Sequence, residues 1–433
     1  MSDTHAQSVG FVRRSEIPPA PPPPSEAGAW RWTRENLFNG WWGTLLTVLS
    51  LLAIFYVLRA VGPWLVNGVW DAASVRECNE ILAGRSGGCF AVIAERWHQM
   101  IFGRYPQTGY WRPVLAFALL LVAAAPVLFQ SVPRRLLWFT GLYPFLAFWL
   151  IWGGPIWTPL SALAALLAGY AVFRLLADRS FALGLVAGLA VAVALGGLVG
   201  PLVARAFAEV APLALDVVPS RNIGGFMLNL ILGTVCVSLS LPFGIALALG
   251  RQSDLPAIKF ICVAFIEFIR GVPLITLLFV ANVVLAYFLP PQASFDLIIR
   301  VIIMITLFAS AYIAEVIRGG LAALPRGQYE AADALGLDYW QAMRLVILPQ
   351  ALKISIPGIV NVAIGLFKDT TLVSVISMFD LVGMIRGPLL ASTDWSGVYW
   401  ELFGFAALIF FVVCYAISQY SQHLERRLAT DRR

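Results

Sequence analysis

Seven ionisable side chains of the C-terminal half, Glu267, Arg270, Arg300, Glu315, Arg318, Lys368 and Asp369, lie in or beside long apolar runs. A charge at a transmembrane helix centre costs at least about 2.5–3.5 kcal/mol on insertion scales, so a chain keeps it only where it pairs, lines water or does work. Glu267 and Arg270 are spaced i,i+3, as are Glu315 and Arg318, so each pair shares one helix face. Two readings of these pairs stand. They neutralise each other where a helix ends near the membrane, or they form a gate that pairs differently in inward- and outward-open states. Lys368 and Asp369 are adjacent and point apart, about 22 Å up a helix from Lys353 at about 1.5 Å per residue. That depth suits a cavity lining. A zwitterionic substrate needs one cationic and one anionic partner, and broken backbone near Thr370 and Thr371 would supply more. Pairing to neighbouring helices is the alternative. Asn361 either faces the same pathway or makes an interhelical hydrogen bond.

Other chemistries lack their residues. His5, His98 and His423 are far apart, with no metal-ligand spacing and no Ser-His-Asp order. Gly-Lys occurs nowhere, so the chain has no phosphate-cradling loop of its own. Transport that consumes ATP would need another subunit to hydrolyse it. Cys236, Cys262 and Cys414 lie in apolar runs and read as small fillers. Cys78 and Cys89 fall in the segment near 66–112, where an oxidising compartment would let them bridge; two free loop thiols are the other reading.

The most informative stretch runs from Arg326 through Glu330-Ala331-Ala332 and Gly336 to Val346, Leu348 and Pro349. It predicts a short helix from Gln328 to Leu335 stopped by Gly336 at a C′-like position, then a turn-rich stretch ended by Pro349. Glu330, Asp333 and Gln341 should point to water, while Ala331, Ala332 and Leu335 offer a shallow apolar face. A helix this short is not stable alone, so it should dock into something.

The elements that hold these residues follow from composition. Of 433 residues 60% are apolar and only 12% charged, with a mean hydropathy of +0.81. Soluble domains carry about 25% charge, so a water-soluble enzyme and a disordered protein are both excluded. The net charge of +6 is almost all Arg, lying between apolar runs, where it orients helices rather than binding nucleic acid. Ten stretches are long enough to span a bilayer: near 42–61, 113–131, 136–152, 158–176 and 181–200, then 223–249, 257–288, 296–317, 355–377 and 399–419. With both termini inside, every strongly basic short loop falls on the cytoplasmic side. The segment near 66–112, the linker 201–222 and the loop 378–398 then fall outside. Residues 1–40 form a Pro-rich tail, 41–200 a bland set of five helices, and 422–433 a basic tail. The start is not a signal peptide.

The loop resembles the E-A-A-x-x-x-G-x(9)-[IV]-x-L-P coupling loop in permease subunits of ABC importers. Arg270-Gly-Val-Pro273-Leu, Tyr312-Ile-Ala-Glu315-Val-Ile-Arg318-Gly-Gly320 and Lys368-Asp369-Thr370-Thr371-Leu372 are similar to the polar amino acid branch. Gly88-Cys89-Phe90-Ala91-Val92-Ile93, Tyr105-Pro106 and Trp111-Arg112-Pro113 resemble the M-type permease of the general L-amino-acid importer, whose Q-type sister is similar in plan. The resemblance implies an all-α polytopic protein of about ten transmembrane helices. Its last five, 223–421, would form a type I importer core with a coupling loop at 326–349. Glu330, Ala331, Ala332, Gly336, Leu348 and Pro349 would engage a separate ATPase. It further implies no cofactor on this chain, ATP and Mg on the ATPase, and a bacterial inner-membrane location. The implied partners are a second permease, two ATPase subunits, a periplasmic amino-acid-binding protein and membrane lipids. The rival reading is an ion-coupled secondary transporter, which predicts internal repeats between the halves, and none is visible. A membrane enzyme would need clustered His, Asp or Glu at an interface, which this sequence lacks.

Overall fold

A computed structural model of the chain describes residues 28–129, 131–284, 287 and 296–430. The proline run 18–24 and residues 431–433 lie outside the described residues. The chain divides into two compact units, Met1–Gly68 with Leu82–Gly88, and Val69–Ile81 with Cys89–Arg433.

In the first unit, α1 (Ala29–Asn36) leads into α2 (Gly40–Val66), the first long apolar helix. The residues after α2 are tied down by Gly88 N–H donating to the Trp64 carbonyl at 2.8 Å and by Asn67 Nδ2 donating to the Ser86 carbonyl at 2.9 Å.

The second unit carries most of α3 (Val75–Leu82), then α4 (Ala91–Phe102), α5 (Trp111–Leu128), α6 (Leu137–Trp152) and α7 (Trp157–Ala177). Polar side chains join α5 to α6: Thr140 Oγ1 donates to the Ala123 carbonyl at 2.6 Å and Tyr143 Oη to the Ala116 carbonyl at 2.9 Å. In a membrane such bonds replace the missing hydrophobic drive between helices. Arg112 explains the Trp111-Arg112-Pro113 run. It is buried, and its Nε and Nη1 donate to the carbonyls of Leu150 (2.7 Å) and Asp216 (2.9 Å). A guanidinium there meets the orphan carbonyls and the negative dipole end of α6. Tyr105 Oη adds a bond to the Ile151 carbonyl at 2.9 Å. Gly154–Pro155 pairs antiparallel with Ala214–Leu215 beside this joint.

The fifth span is longer than expected. The helices α8 (Phe181–Ala194) and α9 (Gly200–Val210) continue through a π-turn, Leu195–Val199, so residues 201–210 are helix and not linker. Pro201 follows directly on the π-turn, which accommodates its missing N–H, and therefore does not mark a boundary. Small residues recur every fourth position at Gly184, Gly188, Ala192, Gly196 and Gly200. They let α8 press on α7, where a Cβ on Gly169 would lie 2.5 Å from the Gly188 carbonyl oxygen.

The core comprises α10 (Gly225–Arg251), α11 (Pro256–Gly271), α12 (Leu274–Phe279) and α13 (Leu297–Ala322). The loop helices α14 (Arg326–Ala334) and α15 (Tyr339–Ala342) follow, then α16 (Leu348–Asp369), α17 (Leu381–Met384) and α18 (Tyr399–Thr430). Among the described residues nine helices are long and apolar enough to cross a membrane, or up to ten if a bent pair counts as one span. That pair corrects the continuous span expected at 257–288: Pro256–Gly271 and Leu274–Val284 meet at 101°. Pro273 lacks an N–H and forces Val272 out of the helical region, to φ −106° and ψ 130°.

Pro349 corrects a second expectation. It ends nothing, because one helical run extends from Tyr339 to Ile376. The turn before it, Met343–Ile347, widens to π geometry, which accommodates a proline at the start of α16. The stretch 422–430, expected as tail, is the last part of α18.

Two apolar clusters fix the core. One joins Leu228 and Leu232 of α10 to Val301, Ile305, Leu366 and Val373. The other joins Ala248 and Ile266 to Ile313, Ile317, Met343 and Ile347, and so seats the loop helices on the Arg251 end of α10.

Candidate functional site

At the Arg251 end, three guanidiniums share two carboxylates. Arg251 Nη1 lies 2.9 Å from Glu267 Oε1 and 3.2 Å from Glu315 Oε2. Arg270 Nη1 lies 3.6 Å from Glu315 Oε2 and 3.9 Å from Glu267 Oε2, and Arg318 Nε donates to Glu315 Oε1 at 2.8 Å. The i,i+3 spacing thus forms a tight pair at Glu315–Arg318 but only a loose one at Glu267–Arg270. Arg270 also lies 5.7 Å from the centre of the Tyr312 ring, within cation–π range. Arg251, the residue that binds α10 to both α11 and α13, is not among the charges the sequence singles out. Its position at the end of an apolar run, opposite two acidic helix faces, was the available signal.

The loop beside this cluster ends α14 with paired bonds, Leu337 N–H to the Ala332 carbonyl (3.2 Å) and Gly336 N–H to the Asp333 carbonyl (2.9 Å). This is the Schellman arrangement, and Gly336 takes the left-handed conformation it needs, at φ +70°. Asp338 and Gln341 then cap α15 reciprocally. Gln350 Nε2 donates to Gln328 Oε1 at 2.9 Å, which fastens α14 to the start of α16. Glu330 and Ala331 are exposed, Leu348 is half-buried and Pro349 is exposed. Ala332 corrects the expected apolar face: at 1% exposure it packs inward, whereas Leu335 is 76% exposed. Tyr339, Trp340 and Leu345 join Leu335 as exposed apolar groups of the loop.

On α16 the pattern is inverted relative to a lipid-facing helix. Between Ala351 and Thr370 the exposed residues are Lys353, Asn361 and Lys368, and every other residue is half-buried or buried. At 3.6 residues per turn these three fall within about 80° of one face. Asp369 beside them is half-buried. Thr370 departs from the expected pathway position. It is fully buried and accepts from Asn229 Nδ2 at 2.9 Å. The backbone does change there, tightening to 3₁₀ geometry over Thr370–Ile376.

Asn229 and Asp380, two residues that sequence reasoning missed, complete this knot at the Gly225 end. Asn229 Nδ2 also donates to Asp380 Oδ2 at 3.1 Å, and its Oδ1 accepts from Leu381 N–H at 3.1 Å. Asp380 caps α17, accepting from Gly383 N–H at 2.9 Å. Burial raises the Asp380 carboxyl from its usual 3.8 to about 6, against the hydrogen bonds that lower it. The Asp-x-x-Gly spacing was the available signal for a cap.

Cys78 and Cys89 stand bonded to each other, with Cα atoms 5.9 Å apart. Cys236 is buried, and Cys262 and Cys414 are half-buried and free. Among the described residues no group of three His, Cys, Asp or Glu is placed to hold a metal.

Residues 240–430 match the family described as "Binding-protein-dependent transport system inner membrane component". The glutamate/glutamine/aspartate/asparagine transport system permease protein BztC of Rhodobacter capsulatus is 53% identical over 446 residues, covering 100% of both chains. The inner membrane amino-acid ABC transporter permease protein YhdY of Escherichia coli is 37% identical over 421 residues, covering 96% of this chain and 97% of its own. A shorter relative, the probable glutamine ABC transporter permease protein GlnP of Bacillus subtilis, is 34% identical and covers 47% of this chain and 91% of its own. With those lengths matched end to end, the chain belongs to the amino-acid permeases of binding-protein-dependent ABC importers, as a membrane-spanning subunit that does not itself hydrolyse ATP.

Proposed function

We propose that this subunit carries polar L-amino acids, including the acidic and amide ones for which its Rhodobacter relative is named. The pathway runs along the Lys353–Asn361–Lys368 face of α16. The carrying observation is that this face, the exposed one on a helix otherwise half-buried or buried, is polar. Lipid would not tolerate two ammonium groups there, so water, substrate or a second permease covers it. Lys368 would attract the substrate carboxylate, and Asp369 the α-ammonium.

The loop 326–349 engages a separate ATPase. Glu330, Ala331 and Leu335 project from α14, and Gly336, Leu348 and Pro349 set the frame, with Ala332 as its inner packing surface. Exposed Leu335, Tyr339, Trp340 and Leu345 give that partner an apolar seat. Closure of two ATPase subunits on ATP would draw such loops together, and the Arg251–Glu267–Arg270–Glu315–Arg318 cluster would re-pair as the helices shift. Both termini and the basic loops are cytoplasmic in this reading. Cys78–Cys89 then lies on the periplasmic side, where a binding protein delivers substrate. The ion-coupled alternative finds no support, since one full-length relative, YhdY, is by name an ABC transporter permease and the other, BztC, a transport system permease.

The test is uptake by the assembled complex in vesicles. Labelled glutamate should enter only with ATP and the binding protein, and Lys368→Met should lower that uptake at least about tenfold, the worth of one charged contact of about 1.4 kcal/mol or more. Glu330→Arg should block uptake and weaken ATPase assembly. Normal uptake and assembly with Glu330→Arg, or uptake that survives without the ATPase but dies with an uncoupler, would overturn the reading.

A further inference from the structure

Residues 69–81 and 89–110 lie across the Gly225 end of the core and hold three of its elements at separate points. The first is the start of α10. A Cβ on Gly225 would sit 2.5 Å from the Met100 carbonyl oxygen, and one on Gly103 would sit 2.5 Å from Gly224 Cα, so the two backbones are in direct contact. Gly103 also bridges Ile223. The second is the loop 378–398. The Arg104 guanidinium lies 4.2 Å from the centre of the Phe379 ring, and Val75 N–H donates to the Asp394 carbonyl at 2.8 Å. The third is the start of α18, where the buried Glu401 carboxylate accepts from Cys89 N–H at 3.1 Å.

These holds are not independent. Cys78 lies three residues beyond Val75 in α3 and is bonded to Cys89, so the hold on Asp394 and the hold on Glu401 share one covalent link. The three elements are also tied to each other beneath the segment. Gly225 N–H donates to the Phe379 carbonyl at 2.7 Å, and Asn229 spans Thr370, Asp380 and Leu381. Separating them would break the hydrogen bonds of a buried carboxylate and a buried amide and part closely crossed backbones, which favours motion of the three elements together.

We infer that this segment is a strap. It binds the start of α10, the loop 378–398 and the start of α18 into one rigid block, so that this end of the transporter opens by moving the block as a whole against its partner subunit. The inference rests on the transport reading above, and it assigns the segment a positioning role, with Glu401, Arg104 and the Cys78–Cys89 bond as its fasteners.

The test uses the assembled complex in lipid. Arg76→Cys with Thr393→Cys, both at exposed positions next to the Val75–Asp394 bond, are joined by a short non-reducible bismaleimide after the free cysteines Cys236, Cys262 and Cys414 are replaced by serine. The strap requires equal cross-linking yield without nucleotide and with ATP trapped, and undiminished uptake by the cross-linked complex. A yield that collapses in one state, or uptake abolished by the cross-link but not by the two substitutions, overturns it. Cys78→Ser with Cys89→Ser should lower uptake about fivefold, a coupling loss of about 1 kcal/mol, and the 76–393 cross-link should restore it. Unchanged uptake in that variant also overturns the strap. The yield comparison needs no transport, so a wild-type complex that fails to import amino acids would sink the transport reading and leave the strap judged on its own.

Discussion

At the Arg251 end of the core, three guanidiniums share two carboxylates, and all five side chains retain access to their surroundings, from 23% exposed at Glu315 to 54% at Glu267. At the Gly225 end, Asn229, Thr370 and Asp380 are fully buried, the backbones of Gly103 and Gly225 cross without room for a Cβ, and a disulfide lies close by. The two ends of the same helix, α10, are therefore held by different physics. Partly exposed ion pairs contribute little each and exchange partners at low cost. Buried hydrogen-bonded groups are costly to separate, because each is stranded without water. On the function proposed above, the contrast fits an importer whose Arg251 end faces the ATPase and rearranges while the opposite end travels intact.

Substitutions at the two ends should separate these behaviours. The largest effect is expected from Gly225→Val. Its φ of +61° and the Met100 carbonyl 2.5 Å from the new Cβ combine backbone strain with overpacking. A loss above about 3 kcal/mol should follow, read as a large fall in the thermal midpoint of the purified complex.

Asp380 should give the next effect, and it is pH-dependent. Its folded pKa, about 6, lies above the usual 3.8, so the folded chain holds the proton longer. Stability from this group is full below about 3.8, falls as pH rises to about 6 and is flat above, with a span of about 3 kcal/mol as an upper bound. Asp380→Asn cannot ionise. Measured against the wild type, its thermal midpoint should improve steadily between those two pH values and then hold a constant offset. A constant offset across the whole range would refute the shift.

Asn229→Ala strands the Leu381 N–H and removes a donor from Asp380 and Thr370, which should cost about 1–3 kcal/mol in unfolding free energy. Arg251→Gln should cost less than about 1 kcal/mol, because its pairs are partly exposed, yet it should slow uptake more than Asn229→Ala does. If Arg251→Gln proves the more destabilising of the two, the contrast between the ends is wrong.

Much of this was legible locally. Apolar run lengths marked the spans, because twenty or so apolar residues cross a bilayer whatever they pack against. The Glu330-Ala331-Ala332 to Pro349 pattern marked the loop, and Gly336 its turn. Proline was harder. Pro273 breaks a span that hydropathy reads as continuous, Pro349 breaks nothing, and Pro201 sits harmlessly after a π-turn. The difference lies in whether a π-turn or a helix start absorbs the missing N–H, which hydropathy does not record. Asn229 and Asp380 were missed because a bond across 151 residues leaves no periodic trace.

What the sequence determined alone is the run of apolar segments, the charges on each helix face, the absence of a nucleotide-binding loop and the place of the Gly336 turn. All of these depend on residues a few positions apart. Only the tertiary structure decided that Arg251 reaches both Glu267 and Glu315, that Thr370 and Ala332 turn inward, and that residues 69–81 and 89–110 touch three distant elements. Those outcomes depend on how each helix is rotated and set in depth against its neighbours, which packing of large on small side chains fixes for the whole bundle at once.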